Sequence, residues 1–134
     1  YKSPSVSIIE GELAGLTLLH EMEGMDKLIL IDAISSQSEV GTLHRFAIPQ
    51  DLDTIGQLAW NTSGSSTHGL GLGAALTLAN TLGELPPYVV VYGIELATVK
   101  HGFELSPKVA KAIQTVVNRI VTEELGQPTC TNSN

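Results

Sequence analysis

Apolar and polar positions along this chain switch between a period of two and a period near 3.6, and the switches mark its elements. Val6-Ser7-Ile8-Ile9-Glu10 is a short β-branched run that reads as a strand, with a turn from Gly11 to Gly15 after it. Leu16, Leu18, Leu19 and Met22 supply the apolar face of a helix, and Gly24 sits where a C-cap glycine belongs. Lys27 to Asp32 contains Leu28-Ile29-Leu30-Ile31, the unbroken apolar stretch expected of a strand buried on both faces in a parallel sheet. Thr42 to Ile48 alternates less cleanly, carries His44 and Arg45, and stops at Pro49, as an edge strand does.

Asp51-Leu52-Asp53 is placed to cap a short helix, and Asn61 to Ser66, all small or polar, reads as a loop. From His68 or Leu70 to Leu82 the pattern is helical, with apolar positions all round, which predicts cover on both sides. Gly69, Gly71 and Gly73 weaken that helix by about 1 kcal/mol each relative to alanine when interior, so their presence points to close backbone approach. Pro86-Pro87 breaks the chain before a buried strand, Tyr88 to Ile94. The last element has Ser106 at the N-cap and Pro107 at the first helical position. Val109, Ile113, Val116, Val117, Ile120, Val121 and Leu125 follow at helical spacing up to Gly126. Strands alternating with helices predict an α/β fold: a three-layer α/β/α sandwich around a twisted, mostly parallel sheet. Residues 1–126 form one domain in this reading, and 127–134 a flexible tail.

Composition narrows the function. The 134 residues are 43% hydrophobic and 16% charged, an ordinary globular balance. Fourteen acids against seven bases give a net charge of −7, which argues against nucleic acid as a partner, because phosphate binding depends on clustered Lys and Arg. The absence of a long apolar run predicts no membrane span, and no secretory signal pattern is visible. Cys130, the single cysteine, lies in the polar tail and reads as an inert thiol, consistent with the cytoplasm.

The candidate chemistry rests on Asp32 and His68. Asp32 follows four apolar residues, so it stands at the carboxyl end of a buried strand. His68, in Ser65-Ser66-Thr67-His68-Gly69-Leu70-Gly71, stands at the start of a helix, where the dipole favours a neutral imidazole. In open α/β sheets both positions face one crevice, where ligands bind. A carboxylate and an imidazole there suit a transition metal, although two ligands make an incomplete site. The structural alternatives are an Asp32 side chain that caps the next turn and a solvent-facing His68. Gly69 lets a large ligand or peptide approach. His101, beside Gly102 in a loop near the sheet edge, is a candidate substrate contact, while His20 and His44 read as surface residues. The glycines after His68 lack a Walker lysine and the dinucleotide spacing, and no Gly-x-Ser-x-Gly elbow accompanies the nearby serines.

Five segments in order carry a resemblance. They are Glu10-Gly11-Glu12-Leu13-Ala14-Gly15, Leu30-Ile31-Asp32-Ala33-Ile34, Thr67-His68-Gly69-Leu70-Gly71-Leu72, Gly93-Ile94-Glu95 and Leu105-Ser106-Pro107-Lys108-Val109. Together, over about residues 6 to 121, they resemble the hydrogenase maturation proteases, which trim the C-terminal extension from the large subunit of nickel–iron hydrogenases. The resemblance implies a five-stranded twisted sheet between helices and an endopeptidase that reads nickel already inserted in its precursor. That nickel is borne by the substrate, with another divalent metal as a possible replacement. Asp32 and His68 match two of the family's three nickel contacts, an aspartate and a histidine. Glu10 matches an aspartate linked to substrate recognition, where Glu12 and Leu13 depart from the usual Asp-Gly-Gly-Thr.

The family's opening strand, its Gly-x-Gly-Asn turn and the loop bearing the third contact, a glutamate, have no counterpart in this sequence. Glu12 and Glu95 are the conceivable stand-ins. The partner implied is the large-subunit precursor, and the intact family member is expected to be a monomer. A sheet lacking a central strand predicts self-association, rearrangement or an unusual groove in this chain. The alternative function is a truncated, non-catalytic domain that contacts the precursor or a divalent metal without cleaving.

Overall fold

The computed structural model describes residues 6–9, 16–60, 71–96 and 106–126. The elements, in chain order, are α1 (Leu16–Met22), β1 (Lys27–Ser35), β2 (Leu43–Ile48), α2 (Leu52–Gly56), β3 (Ala59–Trp60), α3 (Leu72–Leu82), β4 (Tyr88–Glu95) and α4 (Pro107–Arg119). A π-helical turn, Ile120–Glu124, continues α4. The four strands form one sheet in the order β2-β4-β1-β3. β1 and β4 run parallel over Lys27↔Tyr88 to Ile34↔Glu95, and β2 and β3 join antiparallel on either side.

The α/β class is therefore as expected, with a sheet more mixed than the apolar runs imply. Those runs belong to the parallel pair. β2 is the edge strand that its broken alternation and Pro49 predict. Val6 to Ile9 form no strand: Ile8 is 73% exposed and no described strand lies beside them. β-branched residues favour strands only where a neighbouring strand gives them something to pack on.

Two cores flank the sheet. On one face Leu28, Ile34, Val89 and Val91 meet Leu18 and Met22 of α1, Ile55 of α2 and Leu72, Ala75, Leu76 and Ala79 of α3. On the other, Val90, Tyr92 and Ile94 meet Val109, Ala112 and Val116 of α4. Each such aliphatic side chain, fully buried, contributes about 1.5–3 kcal/mol. The apolar residues of α3 do not all find cover, since Leu82 is exposed, and Ile113 and Val117 of α4 are likewise on the outside.

α3 starts at Leu72 with Gly71 as its extended N-cap, later than the pattern from His68 predicts. Gly73 fulfils the expectation of close approach, because a Cβ there would sit 3.2 Å from the Gly56 Cα of α2. α4 starts as predicted: Ser106 Oγ accepts the Val109 N–H at 3.2 Å, with Pro107 behind it. Asp51 precedes α2 without capping it; its Oδ2 instead accepts the Ala47 N–H at 2.8 Å.

The π-helical turn brings Glu124 to the amino end of the parallel strands. Its carboxylate is buried and accepts from Arg45 Nε at 3.0 Å, the Tyr88 hydroxyl at 2.6 Å and the Tyr92 hydroxyl at 2.5 Å. The Lys27 ammonium donates to its main-chain carbonyl. Burial alone would raise the Glu124 pKa, but these donors outweigh it and hold the carboxyl below its ordinary range. This network ties the C-terminal turn to β1, β2 and β4 at the end of the sheet remote from Asp32.

Candidate functional site

Asp32 lies in the carboxyl-terminal half of β1, opposite Gly93 of β4, and the strand runs on to Ser35, beyond the end at Asp32 that the apolar run predicts. It shares a face with Leu28 and Ile34, the face that carries α1, α2 and α3. Its Oδ1 accepts the Ala33 N–H at 2.8 Å, a bond to the next residue within β1 rather than to a turn. It is only half-buried, which leaves the carboxylate within reach of the crevice at this end of the sheet.

His68, Gly69, Glu10 and His101 lie outside the described residues, as does Glu12. The fold therefore places one of the five predicted site residues. Among the described residues no group of three or more His, Cys, Asp or Glu side chains is arranged to hold a metal.

A second cluster stands at the same sheet end. Glu95, the last residue of β4, is wholly buried. Its Oε2 accepts the Ser36 N–H at 2.6 Å, and its Oε1 accepts the Ser36 hydroxyl at 2.6 Å. His44 Nε2 of β2 stands 3.1 Å from the same Oε1. Burial pushes the Glu95 pKa up, but the two Ser36 donors and His44 more than reverse this, and the carboxyl titrates below its ordinary range. Both Glu95 oxygens thus serve Ser36 and His44, which argues against Glu95 as a stand-in metal ligand.

His44 is not the surface residue that its place on an edge strand predicts. Its side chain is 23% exposed, and its ring stacks on Phe46 at 6.1 Å between centroids. A signal was available: His44, Phe46 and Ile48 alternate along β2, so an inward-facing Phe46 implies an inward-facing His44.

The loop from β1 to β2 positions Ser36. It turns back through Gly41, whose φ of +91° favours glycine. A Cβ at Gly41 would stand 3.0 Å from the Cβ of Lys108 and 3.1 Å from its carbonyl oxygen. The Gly41 N–H donates to the Glu95 carbonyl at 2.9 Å, and the Glu95 N–H to the Thr42 carbonyl at 2.9 Å, fixing loop and carboxylate together. A shallow depression lined by Leu19, Met22, Glu23, Gly24, Ala79 and Glu84 lies at the opposite end of the sheet and brings no comparable chemistry together.

Fold and site define an α/β sandwich with an acidic and an imidazole side chain at the carboxyl edge of its parallel strands, the position where such sheets bind ligands. A profile of the hydrogenase maturation proteases matches residues 1–123, and the chain belongs to that family. It is 30% identical over 117 residues to the hydrogenase 2 maturation protease of Escherichia coli strain K12, covering 87% of this chain and 68% of that protein. It is 26% identical over 121 residues to the hydrogenase expression/formation protein HoxM of Cupriavidus necator, covering 87% of this chain and 56% of the relative. The structure resembles the hydrogenase maturating endopeptidase HybD from E. coli at a TM-score of 0.63 and 26% identity, over 85% of this chain and 68% of the other. The chain thus spans about two-thirds of one curated relative and just over half of the second.

Proposed function

We propose that this chain acts as an endopeptidase that removes the C-terminal extension of a nickel–iron hydrogenase large-subunit precursor after nickel insertion. The observation that carries the reading is Asp32 at the carboxyl edge of β1, in a chain that matches the protease family over residues 1–123. In this reading Asp32 and His68 grip the nickel carried by the precursor, and Glu10, Gly69 and His101 contact the precursor chain. A carboxylate and a neutral imidazole suit a borderline divalent ion. Docking the substrate's own metal fixes the extension relative to the site and polarises the scissile peptide bond. An immature precursor without nickel then lacks the anchor. The reaction is placed in the cytoplasm, and no helix of the described residues is long and apolar enough to cross a membrane.

The test incubates the 134-residue chain with nickel-loaded and nickel-free precursor and follows the loss of the extension by mass spectrometry. Cleavage of the loaded form alone is expected, and Asp32→Ala should reduce it at least about 100-fold, as loss of a group that positions the reacting bond does. Equal processing of both forms would remove nickel from the mechanism. Binding without cleavage by the wild-type chain would make it a precursor-binding domain.

A further inference from the structure

β4 lies between β1 and β2 in the sheet, so the link that joins those two strands has to step across it. Residues 36–42 therefore pass over the carboxyl end of β4, at the end of the parallel pair where an open α/β sheet forms its crevice. Asp32 and Ile34 share one face of β1, and Glu95 of β4 points to the same face as Val89 and Val91 beside them. β1 runs three residues past Asp32 before the loop begins, about 10 Å of extended chain.

One buried residue holds both ends of this loop. Glu95 takes the Ser36 N–H and the Ser36 hydroxyl on its two carboxylate oxygens, each at 2.6 Å. Its main chain accepts the Gly41 N–H and donates to the Thr42 carbonyl, each at 2.9 Å. The Thr42 N–H closes back on the Glu39 carbonyl at 3.0 Å, and Gly41 rests against Lys108 at the start of α4. Between these anchors Gln37, Ser38 and Glu39 are exposed. Gln37 has a φ of +69° and is the one non-glycine residue of the left-handed region among the described residues. Glycine would occupy that conformation with less strain. The Gln37 amide has no hydrogen-bond partner among the described residues and lies at the surface, so neither packing nor bonding of the loop calls for a glutamine. A strained residue that its surroundings hold in place is a mark of a contact site.

We propose that Gln37 is a precursor contact, its amide hydrogen-bonding the main chain of an extended precursor segment that runs from Asp32 past the end of β1. The proposal rests on the protease reading for the identity of the substrate. A primary amide both donates and accepts, which suits a peptide group in either orientation. The contact lies about three extended residues beyond Asp32, so it acts on binding and register rather than on the bond that breaks. Gln37 is thus a specificity-determining residue, and Glu95 and Ser36 position its loop.

The test uses the full 134-residue chain and the nickel-loaded large-subunit precursor of the hydrogenase from its own organism. Gln37→Gly removes the amide and suits the +69° backbone, so its urea midpoint should stay close to that of the wild type. Its KM should rise about tenfold with kcat within about threefold, as the loss of one binding contact does. In the wild-type chain the Gln37 side-chain amide signal in nitrogen NMR should shift when precursor is added. Unchanged KM in Gln37→Gly overturns the contact and leaves the protease reading intact. A raised KM with an unmoved amide signal also overturns it, because the loss then comes from loop order rather than from the side chain. If the wild-type chain does not cleave, the protease reading fails on its own, and the Kd for the same precursor decides. A Kd about tenfold weaker in Gln37→Gly then supports the contact, and an equal Kd overturns it.

Discussion

At the scale of single residues, the two buried glutamates differ in what they do, although both are held ionised. Glu124 binds elements together at the amino end of the strands, and Glu95 orients a histidine at the carboxyl end. Both carboxyls have pKa values lowered from 4.5, so each favours the folded state most when ionised. That stabilisation is complete above the unfolded value and is lost as pH falls through the lower, folded one. Stability should therefore hold from neutrality to about pH 5 and fall steeply below pH 4.5. Urea midpoints measured across that range check this. Glu124→Gln should flatten part of the acid limb and cost about 2–4 kcal/mol at neutral pH, because Arg45 and both tyrosine hydroxyls lose a charged acceptor. The figure is toward the lower side of what a buried pair costs, since Arg45 is 35% exposed and rehydrates. An acid limb identical in wild type and Glu124→Gln would show that the carboxylate does not titrate with unfolding. The glutamate was not legible in the sequence, where Thr122-Glu123-Glu124 reads as the charged end of an amphipathic helix. The π-helical turn rotates Glu124 inward, and no local pattern announces such a turn.

At the scale of elements, continuous apolar runs revealed the parallel strands, and the Ser106-Pro107 pair revealed the start of α4. Periodicity failed where cover depends on distant chain. Val6 to Ile9 read as a strand and found no described partner, and the third helix begins only at Leu72, after Gly71. The glycine signal itself was sound, because α2 and α3 cross at Gly73 and Gly56. Two effects oppose each other in Gly73→Ala. Helix propensity favours alanine by up to about 1 kcal/mol, and less in a first turn. Against it, the new methyl meets the Gly56 Cα at 3.2 Å, and backbone yields less readily than a side chain. Overpacking of this kind costs about 1–3 kcal/mol. The net expectation is destabilisation by about 1 kcal/mol, read as a lower denaturant midpoint with unchanged m-value. A midpoint raised by Gly73→Ala would mean that α2 gives way freely.

At the scale of the whole molecule, the site was half legible. That Asp32 belongs to a buried parallel strand followed from one apolar run, although the strand continues to Ser35, whereas the His44–Glu95–Ser36 cluster depends on a β2–β4 register that no single segment encodes. The same register exposes a second consequence. The Leu96 N–H donates to the Ile34 carbonyl, so the backbone groups of Ile34 face β4. Strand geometry alternates, so those of Ile29, Ile31 and Ala33 face the other edge of β1. β3 pairs there only with Ile34 and Ser35, and the Ala33 N–H is taken by Asp32. No described strand covers the remainder, although Leu28 to Ile31 has the apolar sequence of an interior strand and Ile31 is 52% exposed. An apolar edge without a bulge or proline templates strand addition. We therefore expect this chain to self-associate through β1, visible by sedimentation velocity as growth of larger species over about 1–100 µM. Ile31→Lys puts a charge on the edge without opening a core and should restore the monomer. A single monomeric species across the range would mean that this edge is covered, and equal association of wild type and Ile31→Lys would move the contact away from β1.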